Sequence, residues 1–167
     1  MDTIVAIGGH LQFKVPLSKL TEFKAPFWLR LGEKVCTKVR NETKGGSNVK
    51  GGQFKKYDDR YATRKAQGKF KRQSSQSTKP DLMLTGDMMN SLQTHSANKD
   101  GVIVGWADQF NASKVKWNED EGRSITKDTG FPFSKTAESL YDKELDKEVN
   151  KMVKAQKETI VIDTRKG

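Results

Sequence analysis

Few of the side chains that usually perform catalysis or bind metals occur at useful spacings in this sequence. The two histidines, His10 and His95, are far apart in the chain, and neither belongs to a group of three or four ligands of the kind that metal sites need. The single cysteine, Cys36, lies between Lys34 and Lys38, but its position at the edge of an apolar helical stripe indicates a semi-buried structural thiol. We therefore expect no catalytic residues, no metal and no cofactor, and we predict that the protein is not an enzyme.

The glycine-rich tract 45–52 has the wrong spacing for a phosphate-binding loop. Such a loop needs a glycine, four residues and then Gly-Lys followed by Ser or Thr, whereas here Gly46 and Gly51 are followed by Gly52. A polar tract rich in glycine cannot bury apolar surface, so we predict a flexible loop at about residues 43–53. The Ser- and Gln-rich residues 71–80 predict a second flexible loop.

The positive charge of the chain is concentrated in one segment. The sequence has 31 Lys and Arg against 21 Asp and Glu, and residues 38–72 alone hold 12 of the basic and 3 of the acidic side chains. Such a field attracts nucleic acid or an acidic protein surface, while the plain alternative is a solvated loop. The candidate residues for facing DNA or binding a partner are Lys55, Lys56, Arg60, Arg64, Lys65, Lys69, Lys71 and Arg72.

Length and composition predict one soluble domain. The chain has 167 residues, of which 34% are apolar, enough for a single modest core. Its uninterrupted apolar runs are far shorter than the roughly 18 residues that a membrane span needs, so we expect no membrane contact. A lone cysteine cannot form an internal disulfide, which fits a reducing compartment. We therefore treat residues 1–167 as one domain.

Hydrophobic periodicity predicts a long first helix and a central hairpin. Phe27, Leu31, Val35 and Val39 recur every fourth residue and predict a helix over residues 26–41, although Gly32 lowers its helix propensity. Two strands at 93–97 and 102–106 are joined by Asn, Asp and Gly residues of the kind that form hairpin turns.

The remaining pattern adds short elements and a long last helix. Predicted N-caps are Asp58 or Asp59, Thr85 and Ser134, each ahead of a helical pattern. The fold class is therefore α+β, a small, mainly antiparallel sheet packed against two long helices, with extended basic loops. The other predicted elements are strands at 3–13, 81–84 and 159–162, helices at 59–67, 87–92, 107–117 and 134–157, and an acidic loop at 118–122.

Two motifs in the middle of the chain occur in a recognisable order. The first has the pattern G-x-x-F-x-x-Y-x-x-x-Y-x-x-x-K and ends at Lys65. The second reads Leu82-Met83-Leu84-Thr85-Gly86-Asp87-Met88-Met89-Asn90-Ser91. A hairpin, a short helix, an aromatic-proline turn at 131–133 and a final helix follow. Over about residues 26–157 this order resembles the tail-completion or head–tail joining proteins of tailed bacteriophages.

The resemblance implies a structural virion protein of the phage neck that forms a ring joining the head connector to the tail. It implies a homo-oligomer, with a hexamer favoured, that contacts a head connector or adaptor protein and a tail tube or terminator protein. The implied location is the virion neck, and the host cytoplasm during assembly, with non-specific contact to DNA. Tail terminators and connector stoppers are close alternatives. From charge alone, the acidic residues 118–121 and the basic residues 38–72 are candidate partner surfaces in such a ring.

The motif residues also have a direct physical interpretation. Thr85, Gly86 and Ser91 are predicted to define a joint in the fold: a Thr hydroxyl can accept from a free backbone N–H, and glycine permits a tight turn. Tyr57 and Tyr61 are expected to be core or interface anchors more than base-stacking residues.

Two other functions stay open on the sequence alone. A basic nucleic-acid-binding protein acting outside a virion would use the same cations on phosphates, with the tyrosines stacked on bases. No zinc-finger or RNA-recognition signature accompanies the basic segment, however. A hydrolase of unspecified type is a third hypothesis, against which the missing catalytic pattern argues.

Overall fold

The computed structural model describes residues 23–127 and 130–163, so the predicted strands at 3–13 lie outside the described residues. Along these described residues, three helices are followed by two strands and then by two more helices, in the order α1, α2, α3, β1, β2, α4, α5. Their bounds are α1 Ala25–Lys44, α2 Asp59–Ala66, α3 Asp87–Asn90, β1 Leu92–Ala97, β2 Val102–Trp106, α4 Gln109–Asp120 and α5 Lys135–Asp163. Helices and a two-stranded antiparallel sheet share this part of the chain, so the fold class is α+β. Among the described helices, none is long and apolar enough to cross a membrane.

The apolar stripe of α1 forms the centre of the core. Phe27, Leu31, Val35 and Val39 are all buried, as the four-residue spacing predicted. Proline occupies the first turn, where its missing N–H has no partner to lose, and the helix continues three residues beyond the predicted end. One side of α1 lies against the hairpin, and α5 packs along the same helix.

Gly32 is a point of close approach between α1 and the hairpin. A Cβ at this position would lie 2.6 Å from Thr94 Oγ1 and 2.9 Å from Val102 Cγ2. The glycine that lowers helix propensity is therefore required by packing. Four residues earlier, the Trp28 indole N–H donates to the carbonyl of Lys99 in the hairpin turn at 3.2 Å, which fixes the direction of the hairpin along α1.

The predicted hairpin forms, with one irregularity in its strand pairing. Leu92 pairs with Trp106 and Ala97 with Val102, and a bulge falls at His95. The turn forms as predicted, because the backbone N–H groups of Asp100 and Gly101 both donate to the side-chain oxygen of Asn98. One face of the sheet packs on α1 and the other faces outward.

The last helix begins as predicted but ends differently. Ser134 is its N-cap and accepts from the N–H of Ala137 at 3.2 Å. The side chains of Ser134 and Thr136 also donate to Glu42 on α1. The predicted strand at 159–162 is wrong, because the helical backbone continues to Asp163. Each further residue of an existing helix adds a backbone hydrogen bond, which outweighs the β-branched residues' preference for strand.

Two predicted loops prove to be more ordered than their composition indicated. Helix α4 starts two residues later than predicted, is capped by Asp108, and extends to Asp120, so residues 118–120 are helical rather than part of a loop. The glycine-rich tract is closed by a bridge between Ser47 and Gln53. Within it, Val49 is buried and its N–H donates to Ser124, so the expectation that this tract buries no apolar surface is wrong.

The close approach at Gly32 gives a test of the α1–hairpin contact. Gly32→Ala should lower the free energy of unfolding even though alanine favours helix by about 1 kcal/mol, because the added methyl group overlaps Thr94 and Val102. Chemical denaturation measures the change. The double variant with Thr94→Ala should recover part of the loss, and a stabilised Gly32→Ala protein would contradict the packing described.

Candidate functional site

A buried ion pair lies at the centre of the basic segment. The ammonium group of Lys65 is fully buried and pairs with the carboxylate of Asp81, which is 4% exposed. Lys65 therefore cannot contact DNA or a partner, and its inclusion among the surface cations is wrong. A buried charge of either sign costs several kcal/mol of desolvation, which is offset only by a well-placed counter-charge and further hydrogen bonds.

Hydrogen bonds around Asp81 complete this pair. Ser75 Oγ donates to Asp81 Oδ2 at 2.5 Å, and the backbone N–H of Met83 donates to Oδ1 at 3.0 Å. Burial alone would raise the pKa of Asp81, but the hydrogen bonds from Lys65, Ser75 and Met83 outweigh it and hold that pKa below the ordinary 3.8. The predicted flexible loop at 71–80 is thus tied into this network, with Gln73 donating to the carbonyls of Lys65 and Ser75.

Tyr57 joins the ion pair to the next segment of chain. Its hydroxyl accepts from the backbone N–H of Leu82 at 3.1 Å and lies 3.5 Å from Asp81 Oδ1. Burial and the nearby carboxylate raise the pKa of Tyr57 to about 12. The predicted strand at 81–84 is absent; Leu82 instead adopts a positive φ of 50°, and the chain bends around the phenol. These bonds bring the two motifs of the sequence into contact.

Short-range signals explain why the chain turns back at this point. Asp58 is the N-cap of α2 and accepts from the N–H groups of Arg60 and Tyr61, as predicted. Gly68 ends the helix with a φ of +65°, a conformation that glycine adopts without strain. The chain then reverses direction through residues 69–80 and returns Asp81 to the buried end of Lys65.

The second motif forms the joint that was predicted from its residues. Gly86 has a φ of +80° and is itself the N-cap residue of α3, in place of Thr85. The Thr85 hydroxyl accepts from the N–H of Asp87 at 3.4 Å, and the Ser91 hydroxyl donates to the carbonyl of Met88 at 2.9 Å. Helix α3 ends at Asn90, two residues before the predicted end, and Leu92 begins β1.

Arg123 is a buried residue of the site that sequence reasoning missed. Its guanidinium donates to the carbonyls of Lys55 and Lys56, at 3.1 Å each, and lies over the Tyr57 ring at 5.1 Å from the centroid. The side chain is buried and holds the first motif against the loop after α4. A single arginine in an otherwise acidic stretch gives no periodic signal, so only the tertiary structure reveals this role.

An open groove of about 380 Å³ lies between α2, the second motif and α4. Its lining is mainly aromatic and apolar, with Lys114 and Arg123 as its cations and Asp58 as its acid. Helix α4 also presents two large exposed aromatic side chains, Phe110 at 64% and Trp117 at 59%. The apolar lining residues include Tyr57, Tyr61, Leu84, Met88 and Trp117.

The other predicted cations remain on the surface around α2. Two of them have contacts that fix their side chains: Arg64 lies over the Phe70 ring at 4.8 Å, and Arg72 is 3.9 Å from Asp87. Tyr61 contacts both Tyr57 and Phe70, with centroid separations of 4.8 and 5.2 Å, and is half-buried. The exposed cations are Lys55, Lys56, Arg60, Arg64, Lys69, Lys71 and Arg72.

The structure places the acidic residues 118–121 next to the basic segment within one chain. Glu119, near the end of α4, accepts from the N–H and hydroxyl of Thr126 in the loop that follows. Gly122 lies against the Lys55 side chain, and Arg123 bonds to the carbonyls of Lys55 and Lys56. A contact between the acidic residues of one copy and the basic segment of another stays a prediction.

The side chains considered for chemistry are dispersed. Cys36 is buried in the core, and this burial raises its pKa above the ordinary value of 9.0, which disfavours the reactive thiolate. His95 is exposed on the hairpin bulge, and His10 lies outside the described residues. Within residues 23–127 and 130–163, no three His, Cys, Asp or Glu side chains are grouped so as to hold a metal ion.

The buried pair predicts a pH-dependent stability defect. Lys65→Met leaves the Asp81 carboxylate without its counter-charge and should cost about 3–5 kcal/mol at pH 7. In the wild-type protein the lowered pKa of Asp81 gives stability that is complete above its ordinary pKa and is lost as pH falls through the lower folded value. In the variant, protonation of Asp81 relieves the unpaired charge, so the difference between the two proteins should shrink in acid.

Urea unfolding at a series of pH values measures both curves. Lys69→Met is the matched control, at an exposed position four residues after Lys65 and beyond the end of α2. It should change the free energy of unfolding by no more than about 0.5 kcal/mol. Equal effects of the two substitutions at pH 7 would contradict the role given to Lys65.

Comparison with protein-family models, with curated proteins and with solved structures finds no match to this chain. The resemblance to phage neck proteins therefore depends on the two motifs and on the order of the elements. What the structure adds is geometric: the motif that ends at Lys65 and the motif from Leu82 to Ser91 meet around one buried ion pair. Between them they line much of one groove.

Proposed function

We propose that this chain is a structural protein of the neck of a tailed bacteriophage, forming a ring that joins the head connector to the tail. The observation that carries the proposal is the meeting of the two motifs that resemble this family. Tyr57 of the first motif contacts Leu82, the first residue of the second, and Lys65 pairs with Asp81 immediately before it, so the residues behind the resemblance form one structural unit.

The surface around this unit supports a role in binding other proteins. Phe110 and Trp117 are large aromatic side chains exposed to solvent beside a groove lined by further aromatic residues. Aromatic residues are enriched at the centres of protein interfaces, where they contribute most of the binding energy. In the proposed ring, the partners are further copies of this chain, a head connector or adaptor, and a tail tube or terminator protein, with a hexamer as the favoured state.

The exposed cations around α2 support weak contact with the DNA that passes through a neck. Flexible lysine and arginine side chains attract phosphate oxygens without reading bases, and the affinity falls steeply with salt. The proposed location is therefore the virion neck, with assembly in the host cytoplasm, and the work of the protein is mechanical.

Removal of the protein tests the proposed role directly. A phage that lacks this chain should accumulate filled heads and complete tails that are not joined, because the proposed role is to join two finished parts. Electron microscopy of lysates distinguishes the two forms, and supplying the wild-type chain from a plasmid should restore joined particles. Normally joined particles in the absence of the chain would refute the proposal.

Charge reversal tests the contact with DNA separately. Replacing Arg60, Lys69 and Lys71 with Glu should abolish binding of short duplex DNA at low salt while preserving the fold, because all three side chains are exposed. Fluorescence anisotropy across a salt series measures the binding.

The control for that experiment reverses the same number of charges elsewhere. Lys24 and Arg30, on or beside α1, and Lys143 on α5 are exposed outside the basic segment, and their replacement with Glu lowers the net charge of +10 equally. It should leave most of the low-salt binding intact. Equal losses in both variants would show that net charge alone matters, and tight binding by the monomer at ~150 mM salt would favour the nucleic-acid-binding alternative.

A further inference from the structure

Three acidic side chains of α5 form a row along one side of the helix. Glu138, Asp142 and Asp146 are four residues apart, so they lie one above another on consecutive turns. Like charges at this spacing destabilise a helix. Partial burial and the carboxylates of Glu138 and Asp146 raise the pKa of Asp142, a sign that the row is electrostatically unfavourable in the single chain.

Two other acids of the same helix, Glu144 and Glu148, are paired, unlike this row. Glu144 contacts Lys34 at 2.5 Å and Lys147 at 2.6 Å, and Glu148 is 3.9 Å from Lys151. Within the described part of the chain, no ion pair joins a cation to the row of three. Acids that repel one another along a surface create a local negative field, which a positive surface on a partner would relieve.

Apolar residues continue the row towards the end of the helix. Val149 and Val153 follow Asp146 by three and seven residues and are only half-buried. The helical rise places the strip from Glu138 to Val153 over about 22 Å. We call this strip of three acids and two valines the α5 strip. It combines negative charge with apolar surface, as an interface patch does.

The groove beside α4 has the complementary character. Its apolar lining includes Trp117, which is 59% exposed. Of its two lining cations, Arg123 is buried and bonded to the Lys55 and Lys56 carbonyls, so Lys114 is the lining cation that a partner can reach. The lining acid, Asp58, is already used as the N-cap of α2. The Lys56 side chain is exposed next to the carbonyl that Arg123 holds. Apolar surface bordered by cations fits a partner that carries valines and carboxylates.

We propose that the α5 strip of one copy of this chain docks into the groove of the next copy. No residue of the α5 strip lines the groove in its own subunit, so the contact joins two different surfaces. A contact of this head-to-tail kind closes into a ring when the rotation between copies permits it. The inference rests on the proposed ring and names the two surfaces that build it.

Complementary charge reversal tests the docking. One variant replaces Glu138, Asp142 and Asp146 with Lys; the other replaces Lys56 and Lys114 with Glu. Each alone should weaken self-association at least tenfold, measured by analytical ultracentrifugation over a range of concentration and salt. Mixing the two should restore assembly, because each unchanged surface then meets an unchanged partner and each reversed surface meets a reversed one.

Apolar substitutions provide a second readout that leaves charge unchanged. Trp117→Ala should weaken association, whereas Ile103→Ala, at an equally exposed position on the outer face of the hairpin, should not. Circular dichroism of each variant checks that the fold is retained. Unchanged oligomers in both charge variants, failure of the mixture to recover, or wild-type association weaker than about 1 mM would overturn the docking.

The outcomes distinguish this inference from the proposed neck function. If removal of the chain separates heads from tails but the reversed variants still assemble, the neck function stands and the docking surfaces are wrong. If the variants and their mixture behave as expected while particles join without the chain, the docking stands and the neck function is wrong.

Discussion

The pairing of the Lys65 ammonium group with the Asp81 carboxylate determines how the middle of the chain is arranged. Both groups are removed from water, so each requires the other, and the segment between them must fold back to bring them together. Ser75 and Gln73 add hydrogen bonds that hold this returning segment in place. The groove, the joint at Gly86 and the exposed positions of the other cations all follow from that reversal of the chain.

The buried pair also divides the basic segment into two functional parts. Lys65 contributes its charge to the interior, whereas neighbouring cations on α2 leave their charges in solvent. Arg123 comes from a distant loop and holds the first motif by donating to the carbonyls of Lys55 and Lys56, whereas Lys65 holds the chain ahead of the second motif through the Asp81 carboxylate. Part of this positive charge is therefore structural. The number of cations in the segment is larger than the number that can contact a polyanion.

Local signals in the sequence were sufficient for most helices and for the hairpin. The four-residue stripe of α1, the caps at Asp58 and Ser134 and the Asn98 turn each depend on neighbours within a few positions, and each is confirmed. Some of the predictions that were wrong depended on distant contacts. Lys65 has the sequence pattern of a surface lysine because its partner is sixteen residues away. The strand predicted at 159–162 is wrong for a local reason, since continuing an existing helix outweighs the strand preference of β-branched residues. The groove brings together three separate segments, so no local pattern could indicate it.

The burial of Cys36 affects whether copies of this chain can form intermolecular disulfides at high local concentration. With 1% of its surface exposed and its thiolate disfavoured, the sulfur is out of reach of a neighbouring thiol. Crowded native chains therefore do not become cross-linked by accidental oxidation through this residue. The same thiol reports local opening of the core. It can be alkylated only when α1 separates from the residues that cover it, so the alkylation rate measures how often that opening occurs.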